Sequence, residues 1–239
     1  MKIKSFLIGV ITLQLWSHYA VAQKGGMNCQ YFPGLQVGAV KVSTNNPKLG
    51  NYSYAAGLPV LMIDRIAKWY INMDLNATYY GATQTNKAAD NQLKISKAEG
   101  GYCTGRLGYM IGKNYDKLRV GIGINFGWQT SNLDSIKKPF SQRGYTALGG
   151  GLIFYQPLGK LGIAAKVGYE KYTNKSFINS GSGFYFEGTV GYNIFQKFGV
   201  SVMPCFYSKS FDYKAQSDGA LTQAKVTTFV LRLGITKFF

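Results

Sequence analysis

The feature that most constrains this chain is a period of two that recurs along it. In Leu118–Thr130 the residues Leu118, Val120, Ile122, Ile124, Phe126 and Trp128 alternate with Arg119, Gly121, Gly123, Asn125, Gly127 and Gln129. Successive side chains of a strand point to opposite faces, so such a segment has one oily side and one wet side. Trp69–Thr83 sets Ile71, Met73, Leu75, Ala77 and Tyr79 against Asn72, Asp74, Asn76 and Thr78. Gly101–Ile111, Leu161–Tyr172 and Gly183–Phe195 alternate in the same way. In Lys225–Phe239, Phe229, Leu231, Leu233, Ile235 and Phe239 form an apolar row broken by Lys237, and Arg232 stands in the middle of the other row. No helical period of useful length competes.

Weaker strands at Gly34–Ser43, Tyr52–Ile63, Tyr145–Tyr155 and Phe198–Phe211 bring the expected number to about ten, with Pro59 the awkward residue of the second. The connectors alternate in length. Asp64–Lys68, Gly112–Lys117, Gln156–Gly159 and Gln196-Lys197 read as tight reversals, whereas Asn45–Asn51, Gln84–Glu99, Ser131–Gly144, Asn174–Ser182 and Asp212–Ala224 are longer and polar. This layout predicts an all-β fold, a closed antiparallel transmembrane β-barrel of about ten strands with short periplasmic turns and long external loops. Eight strands would remain if Gly34–Ile63 stayed out of the wall. A soluble lipocalin-like barrel or sandwich could carry the same alternation. Aromatics near strand ends, among them Trp69, Tyr79, Tyr80, Tyr102, Tyr109, Trp128, Tyr145, Tyr155, Tyr169, Phe184, Tyr192, Phe206 and Phe239, favour two interfacial girdles over a soluble core.

Residues 1–22 have the pattern of a cleaved secretory signal: Lys2 and Lys4, an apolar run over Phe6–Trp16, then Ala20-Val21-Ala22. A short leader over 23–33 and one domain over 34–239 follow. Lys2 and Lys4 take two of the 27 basic residues, leaving 25 against 10 acids. The basic residues are scattered rather than striped, and export argues against nucleic acid as a partner, so anionic lipid is the expected counter-charge. Cys29, Cys103 and Cys205 have no metal or redox spacing. The single histidine, His18, lies in the signal, so general-base chemistry of the Ser-His kind has no candidate and neither catalytic nor cofactor-binding nor metal-ligating residues are expected.

The signal, the glycine- and tyrosine-rich alternating strands and the aromatic-ended last strand resemble the small porin-like outer-membrane β-barrel family. Its members include the PorT-like and OmpA/OmpX-like barrel domains of Bacteroidota-type bacteria. The resemblance implies a bacterial outer-membrane location and a non-enzymatic structural, surface or narrow porin-like role. It also implies that the row Phe229, Leu231, Leu233, Ile235, Phe239 is read by the barrel-assembly machinery. The alternatives are a component of a secretion or surface-assembly apparatus acting through protein contacts, and an outer-membrane enzyme.

Two sets of residues invite a functional role. Asp74, Arg106, Arg119, Lys166, Glu170, Glu187 and Arg232 fall on the polar rows and would face a lumen, where they select ions or pair with one another as a filled core. Lys87, Lys94, Lys97, Lys137, Lys138 and Arg143, with Lys48 and Lys175, lie in the expected external loops, where they could grip lipopolysaccharide phosphates or form a solvated face. A monomer is expected. Gly149-Gly150-Gly151, Gly121-x-Gly123 and Gly181-x-Gly183 open no helix, and relief of crowding in strands accounts for them better than a phosphate loop.

Overall fold

The computed structural model describes residues 27–45, 52–57, 60–84, 97–112, 117–131, 143–174, 178–195, 198–214 and 221–238. These residues form eleven strands: β1 Met27–Thr44, β2 Tyr52–Gly57, β3 Val60–Ile66, β4 Trp69–Gln84, β5 Lys97–Ile111, β6 Arg119–Ser131, β7 Arg143–Leu158, β8 Leu161–Thr173, β9 Ile178–Asn193, β10 Gly199–Lys214 and β11 Leu221–Phe238. They make one curled sheet, every pairing antiparallel, in which β4 to β11 each pair with the next. The short strands β2 and β3 lie end to end between β1 and β4 and pair with both, so eleven strands occupy ten positions. β1 also pairs with β11, from Met27 against Phe238 to Thr44 against Ala224.

Several boundaries differ from expectation. The segment 23–33, read as a leader, contributes Met27–Pro33 to β1, because residues 27–30 find partners on both β11 and β3. The strand expected over Tyr52–Ile63 is divided in two, and Pro59 lies outside the described residues. The reversal expected over Asp64–Lys68 is only Ala67-Lys68, and Asp64 belongs to β3. At the opposite end the strands run further than polarity suggested: β5 begins at Lys97, β9 at Ile178 and β11 at Leu221, since a ladder continues as long as it has a partner whatever the side chains. The proposed signal over 1–22 lies outside the described residues. The glycine clusters at 121–123, 149–151 and 181–183 all lie within strands. Gly159, at φ 64°, supplies the left-handed residue that the tight β7–β8 hairpin requires.

The two faces of the sheet are opposite in character. On the convex face Ile122, Ile124, Phe126 and Trp128 are 52–59% exposed, and on the concave face Arg119, Asn125 and Gln129 are 1–5% exposed. Ile71, Leu107, Ile163, Tyr169, Val190, Tyr192, Phe229, Leu233 and Ile235 are likewise exposed. Tyr145 and Tyr155, expected in the girdles, are instead buried on the concave face, because β7 sends odd-numbered residues inward. Buried apolar residues form one concave cluster that runs from Ile66, Met110 and Tyr155 near the short turns to Tyr172, Ile178 and Tyr213 near the longer connectors.

Glycine makes room on the concave face. A Cβ on Gly151 would lie 2.6 Å from the Tyr185 hydroxyl, and one on Gly108 would lie 3.0 Å from Ile153 Cδ1. Gly151→Val should therefore destabilise the refolded protein by about 1–3 kcal/mol through overpacking, read from its urea unfolding midpoint. A midpoint equal to that of the parent would contradict this packing.

Candidate functional site

The inner row of β9 places Glu187, fully buried, at the centre of the concave face. Arg106 of β5 grips it with both terminal nitrogens, Nη1 to Oε2 at 2.7 Å and Nη2 to Oε1 at 2.6 Å. The Tyr207 hydroxyl donates to Oε1 at 2.8 Å, and Lys166 Nζ stands 3.6 Å from Oε2. Lys166 bonds at 2.5 Å to Asp64 Oδ2 on β3. Arg106 also stacks over the Tyr185 ring at 4.7 Å, and Lys166 faces the Tyr70 ring at 5.4 Å. Beside this group, Arg232 of β11 donates from Nη1 to Asp74 Oδ2 of β4 at 2.7 Å. A forked guanidinium–carboxylate pair is among the strongest polar contacts in a protein, and here it is shielded from solvent.

All seven charged residues singled out from the polar rows lie on this face at 0–5% exposure, but they do not form a single network. Arg106, Lys166 and Glu187 come together, and Arg232 meets Asp74. Arg119 donates to the Ala67 carbonyl at 3.0 Å, close to the short turns. Glu170 accepts from the Tyr172 hydroxyl at 3.1 Å and from Asn125 Nδ2 at 3.5 Å. Asp64 was missed as a member, because sequence reasoning placed it in a turn. The alternation Met62, Asp64, Ile66, all buried, was the signal that could have found it.

Lys209 was also missed, because Phe198–Phe211 was never divided into rows. Its ammonium lies 5.9, 5.4 and 5.7 Å from the ring centroids of Tyr145, Tyr172 and Tyr207, and it donates a short hydrogen bond to Gln129 Oε1. Tyr145, Tyr172 and Phe211 pack edge-on or tilted around it, with centroids 5.2–5.3 Å apart.

Of the basic residues expected in external loops, Lys97 opens β5 and Arg143 opens β7. Lys48, Lys87, Lys94, Lys137, Lys138 and Lys175 lie outside the described residues, as does Phe239. In β11, Phe229, Leu233 and Ile235 are exposed on the convex face and Leu231 is half-buried there. Cys205 is buried and Cys103 half-buried, both as free thiols. Among the described residues no three of His, Cys, Asp and Glu gather as a metal's ligand set would.

No family model and no curated protein matches the chain. Solved structures similar to it include a TodX monoaromatic hydrocarbon channel, deltaS2 mutant, at 8% identity over 91% of each chain with a TM-score of 0.33. The toluene transporter TodX of P. putida has 8% identity, 91% of each chain covered and a TM-score of 0.31. Outer membrane phospholipase A from Escherichia coli has 11% identity over 85% of this chain and 97% of that one, with a TM-score of 0.30. At such identities and scores no residue correspondence and no activity passes from those proteins to this one.

Removing one partner of the central pair leaves a buried charge without its counter-ion. Glu187→Leu should cost about 3–5 kcal/mol in urea unfolding, and adding Arg106→Met to it should recover part of that loss. Strictly additive losses in this double-mutant cycle would show that the pair is not coupled.

Proposed function

We propose that the protein is a closed, ten-position β-barrel of a bacterial outer membrane, without catalytic activity, whose interior is filled by its own ion pairs and aromatic side chains. The observation that carries this is the inversion of faces: contiguous Ile, Leu, Val, Phe and Trp on the convex side, carboxylates and guanidinium groups sealed on the concave side. A soluble β-protein buries its apolar row, whereas a barrel in lipid turns that row outward.

Closure is supported by the strand registers. A walk along paired residues leads from Trp69 to Tyr109, Ile122, Leu152, Val167, Phe186, Phe206, Phe229, Ala39 and Ala55, and returns to β4 at Gly81, twelve residues from its start. For ten strand positions that stagger corresponds to a tilt of about 40° and a radius of about 10 Å, within the range of natural barrels. An interior of that size has little space beyond its own side chains, so a structural or surface role, with at most a narrow path, fits better than a wide pore. Trp69 and Tyr109, in edge contact at 5.2 Å on the convex side with Lys68 5.9 Å from the tyrosine ring, have the composition of an interfacial girdle.

In this reading the partners are outer-membrane lipid, including lipopolysaccharide, and the barrel-assembly machinery, which would read the apolar row of β11. The kinship would be with the PorT-like and OmpA/OmpX-like barrels of Bacteroidota-type bacteria. The absence of any histidine beyond His18 supports a non-enzymatic role.

Trp69 and Trp128 both stand on the convex face, 55% and 53% exposed and near opposite ends of their strands, and provide the test. Reconstituted into bilayers whose lipids carry bromine near the headgroup, the protein should lose most of the fluorescence of both, and bromine deep in the chains should quench them less. Emission indifferent to brominated lipid would overturn the membrane assignment.

A further inference from the structure

We infer that Lys209, together with Gln129, forms a binding site on the concave face for a small anion, a halide or a carboxylate. The described residues of this face carry five cations, Arg106, Arg119, Lys166, Lys209 and Arg232, against four carboxylates, Asp64, Asp74, Glu170 and Glu187. Arg106 and Lys166 are paired with Glu187 and Asp64, Arg232 is paired with Asp74, and Arg119 rests on a backbone carbonyl. Among the described residues Lys209 meets neither a carboxylate nor a backbone carbonyl.

Its surroundings stabilise a cation but do not neutralise it. The three tyrosines around it commit their hydroxyls elsewhere, Tyr145 to Gln129 at 3.4 Å, Tyr172 to Glu170 and Tyr207 to Glu187, and so present only ring faces. Those electron-rich faces repel an anion, which leaves the side occupied by Gln129 as the approach. Gln129 is 5% exposed, and its Oε1 accepts from both Lys209 and Tyr145, so its Nε2 turns the other way with two N–H groups that have no partner among the described residues. An ammonium and an amide N–H pair side by side in an enclosed, weakly screening space are donors for an anion.

The site rests on the concave face alone and does not depend on the membrane assignment. The full-length protein, refolded in zwitterionic detergent, would be titrated with chloride and followed by chlorine-35 NMR line width. Saturable broadening is expected, lost in Lys209→Met and kept in Lys171→Met, a change on the convex face. Gln129→Glu supplies a counter-charge from within the chain and should abolish the broadening even if Lys209→Met does not fold. Displacement of chloride by acetate extends the site to carboxylates, and failure of acetate to displace it restricts the site to halides; either supports the assignment. Absence of saturable broadening in the parent protein, or its persistence in both Lys209→Met and Gln129→Glu, overturns it. Tryptophan quenching by brominated lipid is read separately, so the two proposals can fail independently.

Discussion

The grip of Arg106 on Glu187 is the contact on which the concave face is organised. Both groups are shielded from solvent, and each would be intolerable there without the other. Tyr207 and Lys166 attach to the same carboxylate, and through Lys166 the group reaches Asp64 on β3. Strands β3, β5, β8, β9 and β10 are thus joined across the face by polar bonds, besides the backbone ladder that joins neighbours. Apolar packing could not hold the interior alone if the outer face meets lipid, because such a chain gains little by moving an isoleucine from one oily surface to another. Directional bonds between charged groups then decide which strand lies opposite which.

The alternation made much of this legible in the sequence. Ile122, Ile124, Phe126 and Trp128 fell on one side and Arg119, Asn125 and Gln129 on the other because parity along a strand cannot change without a bulge. The assignment of Arg106, Lys166, Glu187 and Arg232 to one face followed from the same rule. What parity does not encode is distance around the sheet. Which cation meets which carboxylate depends on the registers of several intervening strands, so the pairing of Arg232 with Asp74 could not be read from either segment. Asp64 was lost for a local reason, since a polar residue beside Ala67-Lys68 resembles turn chemistry when its ladder partners are unknown, and Lys209 because the weak alternation of Phe198–Phe211 did not separate its two rows. Tyr145 and Tyr155 were misplaced because position along a strand says nothing of the side a ring occupies.

Glycine has a complementary part. On β5 to β8 the inner positions Gly108, Gly123, Gly151 and Gly168 thin the wall, and Ile153 and Tyr185 occupy the space they leave. The bulk that fills the concave face is therefore supplied unevenly. Some strands provide volume and others provide room for it, which lets rings and long cationic side chains share a narrow cross-section at close packing.

The chain separations of the ion pairs carry a consequence for how the molecule forms. Arg106 and Glu187 are 81 residues apart, Asp64 and Lys166 are 102 apart, and Asp74 and Arg232 are 158 apart. No hairpin made of consecutive strands contains both members of any of them. A nascent intermediate holding β4 but lacking β11 carries an aspartate whose counter-ion has not arrived, and it stays ill-suited to a dry environment until the final strand docks. Pairing of these charges thus acts as a checkpoint on completeness: the energetic reward for desolvation is withheld from every species that lacks β11 and granted only when that strand meets β4's aspartate across the face.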